Sequence, residues 1–472
     1  MTTIEKTKSD LLRVKIVQRS TIVLFVTLSS LLFVYLNQVQ PNYYIDEAFH
    51  IPQVQKYCNG TFFEWDKKIT TPPGLYALST ILLAPVKQCT TFFLRSINLI
   101  LTFSNLYLTY KILSTKEWTA RKENALKKFG VAFAVTIFPP LFFWFFLYYT
   151  DVLSMNLVLL AFLLHEREHY NSSAYIGGWS VLVRQTNIVW VILLAGERVL
   201  TLIEAQTPRS IKTLVNRGLH TTPMHAKLLW NNVVHHIRRG KLPFLIFVGE
   251  MYSSVRGHVQ VLIIFLLFVI VNRGIVLGDR NAHVATIHVP QLFYFSVFSS
   301  VFAWPYVLPH WRLFLQFIRK HWIKTSVLLA LCTIIVHNNT LVHPYLLADN
   351  RHYVFYVWNK IMGRYYLAKY LLVPVYGFSV YGLLASLQDL RYLTKILYIV
   401  SITITLVPQL LLEPRYFVIP YVLLRLNMTE PKSWQLFMEL ITAVIINVLQ
   451  FYIFVTKSFY WTDQEGPQRI SW

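Results

Sequence analysis

"IVLFVTLSSLLFVYLNQVQPNYYIDEAFHIPQVQKY", residues 22–57, joins an apolar run, Ile22 to Leu36, to a segment that sets Asp46 and Glu47 side by side. Lys6, Lys8, Arg13, Lys15 and Arg19 precede the run, and no small-residue cleavage site follows it. That pattern predicts an uncleaved signal anchor with a cytosolic N-terminus over residues 1–21. Residues 41–73 then lie on the far side. They hold Asp46, Glu47, Glu64 and Asp66, in a chain with 22 acids among 472 residues.

The rest of the chain repeats the apolar theme. It is 55% hydrophobic and 14% charged, with a mean hydropathy of +0.45. Several runs approach the roughly 20 residues that span a bilayer core. Only helices or closed barrels satisfy their backbone in lipid, and alternating ten-residue strands are absent. The expected fold is an all-α polytopic membrane protein over residues 22–456, with about 12 spans and a tail at 457–472.

The net charge is +22. The bases sit in loops beside apolar runs, which predicts orientation by the positive-inside rule and contact with anionic head groups, not nucleic acid. The long polar insertion 207–242 carries Arg209, Lys212, Arg217, Lys227, Arg238, Arg239 and Lys241 and reads as a cytosolic loop. Residues 111–128 are also basic. Runs near 129–149, 152–164 and 174–195 separate the two segments, and three crossings would put them on opposite sides. Cys58, Cys89 and Cys332 form neither a CxxC pair nor a zinc pattern, so no disulfide scaffold is expected. Sequons at Asn59, Asn171, Asn338 and Asn427 permit a luminal face without fixing it.

Within 43–57, Pro52 suits a first helical turn. A short surface helix is expected to start near it, with Asp46, Glu47, Phe49 and His50 in the preceding turn and Ile51, Val54 and Tyr57 toward the membrane. Two adjacent carboxylates point different ways. One can act as a base while the other binds or orients, or both can be a solvated pair that helps set topology. In "FFEWDKKITTPPGLY" (62–76), Trp65 and Tyr76 suit either a sugar ring or the interfacial aromatic belt. Asp66 adds a further acid. "FFWFFLYYTD" (142–151) ends on Asp151, which suits a helix cap. "SVLVRQTNIVW" (180–190) buries Arg184 in an apolar run, where a guanidinium needs a cavity or an anion. His283 and His288 are five apart with no third ligand, so no metal site is expected.

"HPYLLADNRHYVFYVW" (343–358) offers Arg351 and His352 to a phosphate, with Asp349 orienting the guanidinium. "LLEPRYFVIPYVLLRL" (411–426) offers Arg415 beside Glu413. Interfacial ion pairs are the alternative for both. No Gly-rich phosphate loop, GxSxG or HExxH occurs, which disfavours a nucleotide-sugar donor. A lipid-linked donor would need only a membrane groove, cations for its phosphate and a base at the membrane edge.

Together "YIDEAFHIPQVQKYC", "WDKKITTPPGLY", "FFWFFLYYTD", "RQTNIVWV", "GDRNAHVATIHVPQLFYF", "HPYLLADNRHYVFYVW" and "EPRYFVIPYVLLRL" run in order from residue 43 to 426. In these stretches the chain resembles the dolichyl-phosphate-glucose-dependent alpha-1,2-glucosyltransferases of the endoplasmic reticulum, members of the membrane GT-C class. The resemblance implies a GT-C-type bundle with short amphipathic helices in the first luminal loop. It implies a donor of dolichyl phosphate glucose and a diglucosylated acceptor on dolichyl diphosphate. It implies inverting chemistry at the luminal face with no nucleotide or metal cofactor. On that reading Asp46 is the base and Glu47 orients the acceptor or serves as alternate base. Arg351, His352, Arg415 and Arg184 hold the donor phosphate. His50, Trp65, Asp66, Asp151 and Asp349 line the acceptor site. The rival classes are a lipid or sugar transporter, which would predict inverted repeats that are not seen, a non-enzymatic membrane subunit, and another dolichyl-phosphate-sugar-dependent transferase.

Overall fold

A computed structural model of the chain describes residues 3–116, 124–206, 219–280, 284–462 and 466–472. Arg209, Lys212, Arg217 and His283 lie outside the described residues. The described chain is helical almost throughout. The principal helices are α1 (Thr3–Val39), α2 (Glu47–Cys58), α3 (Gly74–Leu83), α4 (Thr91–Thr115), α5 (Asn124–Thr136), α6 (Pro139–Phe142), α7 (Thr150–Glu166), α8 (Tyr170–Val183) and α9 (Ile188–Ala205). They continue with α10 (Met224–Arg238), α11 (Lys241–Asn272), α12 (Pro290–Phe302), α13 (Trp311–Lys320), α14 (Trp322–Asn339), α15 (Val373–Ala385), α16 (Tyr392–Leu406), α17 (Arg415–Asn427) and α18 (Ser433–Thr456). Among the described residues the one sheet is a two-stranded antiparallel pair, Ser458–Phe459 with Gln468–Arg469. By length and composition 4 helices can cross a membrane, or up to 6 if each of two bent pairs is one span.

Three sequence expectations are corrected here. The apolar run 174–195 is not one span but a helical hairpin. Arg184 is extended between α8 and α9, Asn187 Nδ2 reaches back to the Ser180 carbonyl at 2.9 Å, and Arg198 stacks on Tyr170 at 3.9 Å. Four helical segments, the α5–α6 pair, α7, α8 and α9, therefore stand between the two basic segments, where the sequence shows three apolar runs. The insertion 207–242 is also not all loop, because Met224–Arg238 is helical. Finally, the runs 243–249 and 258–278 belong to a single helix of 32 residues, α11.

The core gathers around the aromatic stretch between α5 and α7. Phe138 stacks on Tyr421 with centroids 4.3 Å apart, and Phe143, Trp144, Phe145 and Phe146 are all buried. This stretch is not a continuous helix. A short turn at Phe143–Phe146 leads into extended backbone at Leu147, and unpaired backbone at membrane depth must find partners inside the protein. Asn98 Nδ2 donates to the Leu147 and Tyr149 carbonyls at 2.6 and 2.9 Å. The Tyr148 amide donates to Glu47 Oε1 at 2.7 Å.

Glu47 is the hub of that end of the molecule. Its carboxylate is 0% exposed and faces Arg95, itself 1% exposed. Arg95 Nε and Nη2 bond it at 2.8 and 2.5 Å, and the Tyr44 amide adds a contact at 3.0 Å. With Tyr148, all four acceptor positions of the carboxylate are filled. Arg95 donates its remaining protons to Asn37 Oδ1 and to the Gln40 and Asn42 carbonyls. These contacts pin the first turn of α2, so the helix starts at Glu47, not at Pro52, which lies inside it. They also turn its apolar face inward. Ile51, Val54 and Tyr57 pack on Leu75, Leu94, Tyr148 and Leu157, not on lipid. The same docking brings Cys58 beside Cys89, and the two form a disulfide across 31 positions, against the expectation of none.

Removing one member of a buried ion pair leaves the other charge uncompensated, at a cost of about 3–5 kcal/mol. Arg95→Met is expected to lower the melting temperature in detergent sharply, and Glu47→Gln/Arg95→Met to recover part of the loss. A single variant that melts like wild type would remove the pair from its structural role.

Candidate active site

One cavity of about 1790 Å³ opens at the end of the bundle that carries the Glu47 hub and the disulfide. Its walls come from the turn before α2, the loop 68–71, the break between α8 and α9, the segment 345–354 and the start of α17. The two adjacent acids divide at this wall. Glu47 is turned into the core and does not line the cavity, whereas Asp46 does, with its side chain 32% exposed.

The turn that aims Asp46 is strained. Ile45 has φ of 48°, and a β-branched residue in that region is held only by its surroundings. Here Tyr149 supplies the hold. Its hydroxyl donates to the Tyr44 carbonyl at 2.9 Å and accepts from the Asp46 amide at 3.1 Å. Arg415 Nη1 meets Asp46 Oδ2 at 2.8 Å. Burial pushes the Asp46 carboxyl up, but the Arg415 guanidinium outweighs it and brings the group down to about 2. His50, one turn along α2, is drawn down to about 4 by burial, with Asp46 opposing. Its Nδ1 lies 2.5 Å from the Tyr76 hydroxyl.

Arg415 also pairs with Glu413 and lies 3.9 Å from Asp151. Asp151 is held by Arg184 at 2.9 Å and makes no side-chain cap, so the cap reading is replaced by an ion pair. Three carboxylates (Asp46, Asp151, Glu413) thus share two guanidiniums. On the facing wall Asp349 holds Arg351 through two parallel bonds of 2.9 and 2.7 Å, and His352 Nε2 stands 3.7 Å from the same carboxylate. Asp349 is lowered overall, burial being outweighed by Arg351 and His352.

The cavity thus brings together Asp46, His50, Arg184, Asp349, Arg351, His352 and Arg415. Glu47, Trp65, Asp66 and Asp151 stand behind its walls. Trp65 packs on Tyr76. The Asp66 amide donates to Gln53 Oε1, and Asp66 Oδ1 accepts from the Lys68 amide, so both residues brace the 62–70 loop. Several participants escaped sequence reasoning. Lys68 lines the cavity over the Phe49 ring and makes no ion pair among the described residues. Arg95 carried the same signal as Arg184, a guanidinium inside an apolar run. Tyr149 carried none, being one aromatic among many.

A family model described as the DIE2/ALG10 family matches residues 40–426. A Drosophila melanogaster protein is 38% identical over 451 residues, 95% of this chain and 97% of its own length, and is named Dol-P-Glc:Glc(2)Man(9)GlcNAc(2)-PP-Dol alpha-1,2-glucosyltransferase. Proteins of the same name from Homo sapiens, at 35% identity, and Arabidopsis thaliana, at 33%, cover 94% and 92% of the chain and 96% of their own lengths. No solved structure matches it. Because the family match spans well over half of the sequence and the relatives align along nearly all of it, the chain belongs to the DIE2/ALG10 family.

Proposed function

We propose that this chain transfers glucose from dolichyl phosphate glucose to the 2-hydroxyl of the terminal glucose on a diglucosylated, dolichyl-diphosphate-linked oligosaccharide, with Asp46 as general base. The observation that carries this reading is the partly exposed Asp46 carboxylate, held ionised by Arg415 in a cavity that also presents Arg351 and His352. The acceptor hydroxyl oxygen attacks the anomeric carbon from the face opposite the phosphate. The bond from that carbon to the phosphate oxygen breaks, dolichyl phosphate leaves with the electron pair, and the hydroxyl proton passes to Asp46. Inversion turns a beta-linked donor into an alpha product.

Charge balance assigns the phosphate. Arg415 and Arg184 are already outnumbered by carboxylates, so their work is to orient Asp46 and Asp151. Among the described residues Arg351, His352 and Lys68 face the cavity, with Asp349 paired to the first two and Asp279 also on the lining. They are the groups that an incoming phosphodiester would meet, and Arg351 and Lys68 offset the charge that develops on the leaving group. Arg415 is the alternate. Glu47, with its acceptor positions filled, serves by fixing the backbone of Asp46 and not by touching sugar.

The cavity faces the lumen of the endoplasmic reticulum in this reading. The Cys58–Cys89 disulfide lies at the cavity end, and disulfides persist in oxidising compartments. The opposite end gathers Lys116, Lys127, Arg391 and Arg425, as the positive-inside rule requires of a cytosolic face. Helices too short to cross alone then act as broken or paired spans lining the cavity, as irregular backbone at membrane depth must.

Three outcomes are expected. Asp46→Asn, assayed by the mass gain of one hexose on the acceptor, is expected to lower turnover by roughly 10²–10⁴ with the protein still folded, and near-normal turnover would remove Asp46 from the role. Asp46 is ionised and His50 neutral well below neutrality, so neither is expected to give the transfer rate an acid limb between about pH 5 and about pH 8. An acid limb in that window would show that another group is the base. Asn59 follows the disulfide-bonded Cys58 and Asn338 adjoins Asn339, which bonds the 287–289 segment, whereas Asn427 and Tyr170, beside Asn171, line a separate pocket with Lys116. Site-by-site mass spectrometry of protein from eukaryotic cells is expected to find N-glycan at Asn59 or Asn338 only. Glycan on Asn171 or Asn427 would turn the cavity to the cytosol.

A further inference from the structure

The family match ends at residue 426, yet the cavity does not. Trp461 and Gln468, from the last stretch of the chain, line it. The Trp461 ring lies 4.5 Å from the Arg351 guanidinium carbon, a stacking distance at which an aromatic face attracts the cation. Its indole Nε1 donates to Asn350 Oδ1 at 3.0 Å. Gln468 Oε1 accepts from Arg351 Nη1 at 3.2 Å. The backbone joins in, with the Ser471 amide donating to the Arg351 carbonyl at 2.7 Å and the Tyr353 amide to the Ser471 carbonyl at 3.1 Å.

This stretch is itself bolted down. Arg469 donates to the Phe454 and Val455 carbonyls at 2.8 and 2.9 Å and to the Val39 carbonyl at 3.2 Å, so it caps the otherwise unpaired C-terminal ends of α18 and α1. From that platform it also reaches the turn before Asp46, because the Tyr44 hydroxyl bonds the Arg469 carbonyl and Ser471 Oγ at 3.0 and 2.8 Å. Asp349 sits only two residues from Arg351 and moves with it. The C-terminal stretch therefore supplies side-chain and backbone contacts that hold this segment.

We propose that the C-terminal stretch around Trp461 and Gln468 forms part of the donor site, and that these two are positioning residues that hold Arg351 toward the phosphate of the lipid-linked donor. This rests on the assignment of Arg351 to that phosphate. A guanidinium free to swing binds the phosphate less well in the ground state and the transition state alike, so the loss falls on donor KM.

The test uses the full chain in detergent, with dolichyl phosphate glucose varied at saturating acceptor and the acceptor then varied at saturating donor. Trp461→Ala and Gln468→Ala are each expected to raise donor KM by about tenfold, with acceptor KM unchanged and the melting temperature close to wild type. Trp461→Phe, which keeps an aromatic face, is expected to restore most of the donor affinity. Arg351→Ala is expected to raise donor KM as well, and adding Trp461→Ala to it to change little more, since both act through one cation. If Arg351→Ala raises donor KM while Trp461→Ala and Gln468→Ala do not, the positioning role is wrong and the phosphate assignment stands. If Arg351→Ala leaves donor KM unchanged, the phosphate assignment falls and this proposal falls with it.

Discussion

The buried pair of Glu47 and Arg95 uses every donor and acceptor it owns. A buried ion pair is tolerated only when its geometry and its additional hydrogen bonds offset the loss of water, and here those bonds also organise the end of the bundle. Arg95 collects the carbonyls of Gln40 and Asn42 after α1. Glu47 collects the amides of Tyr44 and Tyr148, one before α2 and one in the extended break before α7. Two separate stretches of irregular backbone, the connection 40–46 and the break before α7, are thereby satisfied by one charge pair.

That arrangement explains why two acids stand together in an acid-poor chain. Successive residues at the head of α2 point to different sides, so fixing Glu47 in the core aims Asp46 outward. Tyr149 ties the Asp46 amide to the same break in the aromatic stretch, and the left-handed Ile45 is carried by those ties. In the proposed mechanism the acid that takes the proton and the acid that holds it are neighbours because one rigid turn serves both. Arg415 then keeps the exposed carboxylate ionised. The cost is a weaker base, which suits a displacement whose transition state is oxocarbenium-like and needs the proton removed late.

The helical membrane class, the pair of adjacent acids and the arginines that line the cavity were legible in the sequence, because hydropathy and a guanidinium inside an apolar run are local signals. What could not be read were the pairings. Nothing near Glu47 announces Arg95, and nothing near Cys58 announces Cys89, since both meetings follow from the docking of α2 onto α4. The run 174–195 reads as one span because Gln185 to Asn187 are too few to interrupt its hydropathy, yet the extended Arg184 between them and α8 folds it into a hairpin. Pro52 misled for a related reason: its preference for a first turn is weaker than the hydrogen bonds that start the helix at Glu47. The contribution of Trp461 and Gln468 was invisible, because their partner Arg351 lies more than a hundred residues away.

The division of labour between the two acids is tested most directly by a structure of the chain bound to an unreactive dolichyl phosphate glucose analogue and the diglucosylated acceptor. The account predicts the terminal 2-hydroxyl oxygen within about 3.2 Å of an Asp46 carboxylate oxygen, with Glu47 still bonded to Arg95 and no sugar atom against it. A hydroxyl seated on Asp349 or Glu413, with Asp46 still closed on Arg415, would contradict it.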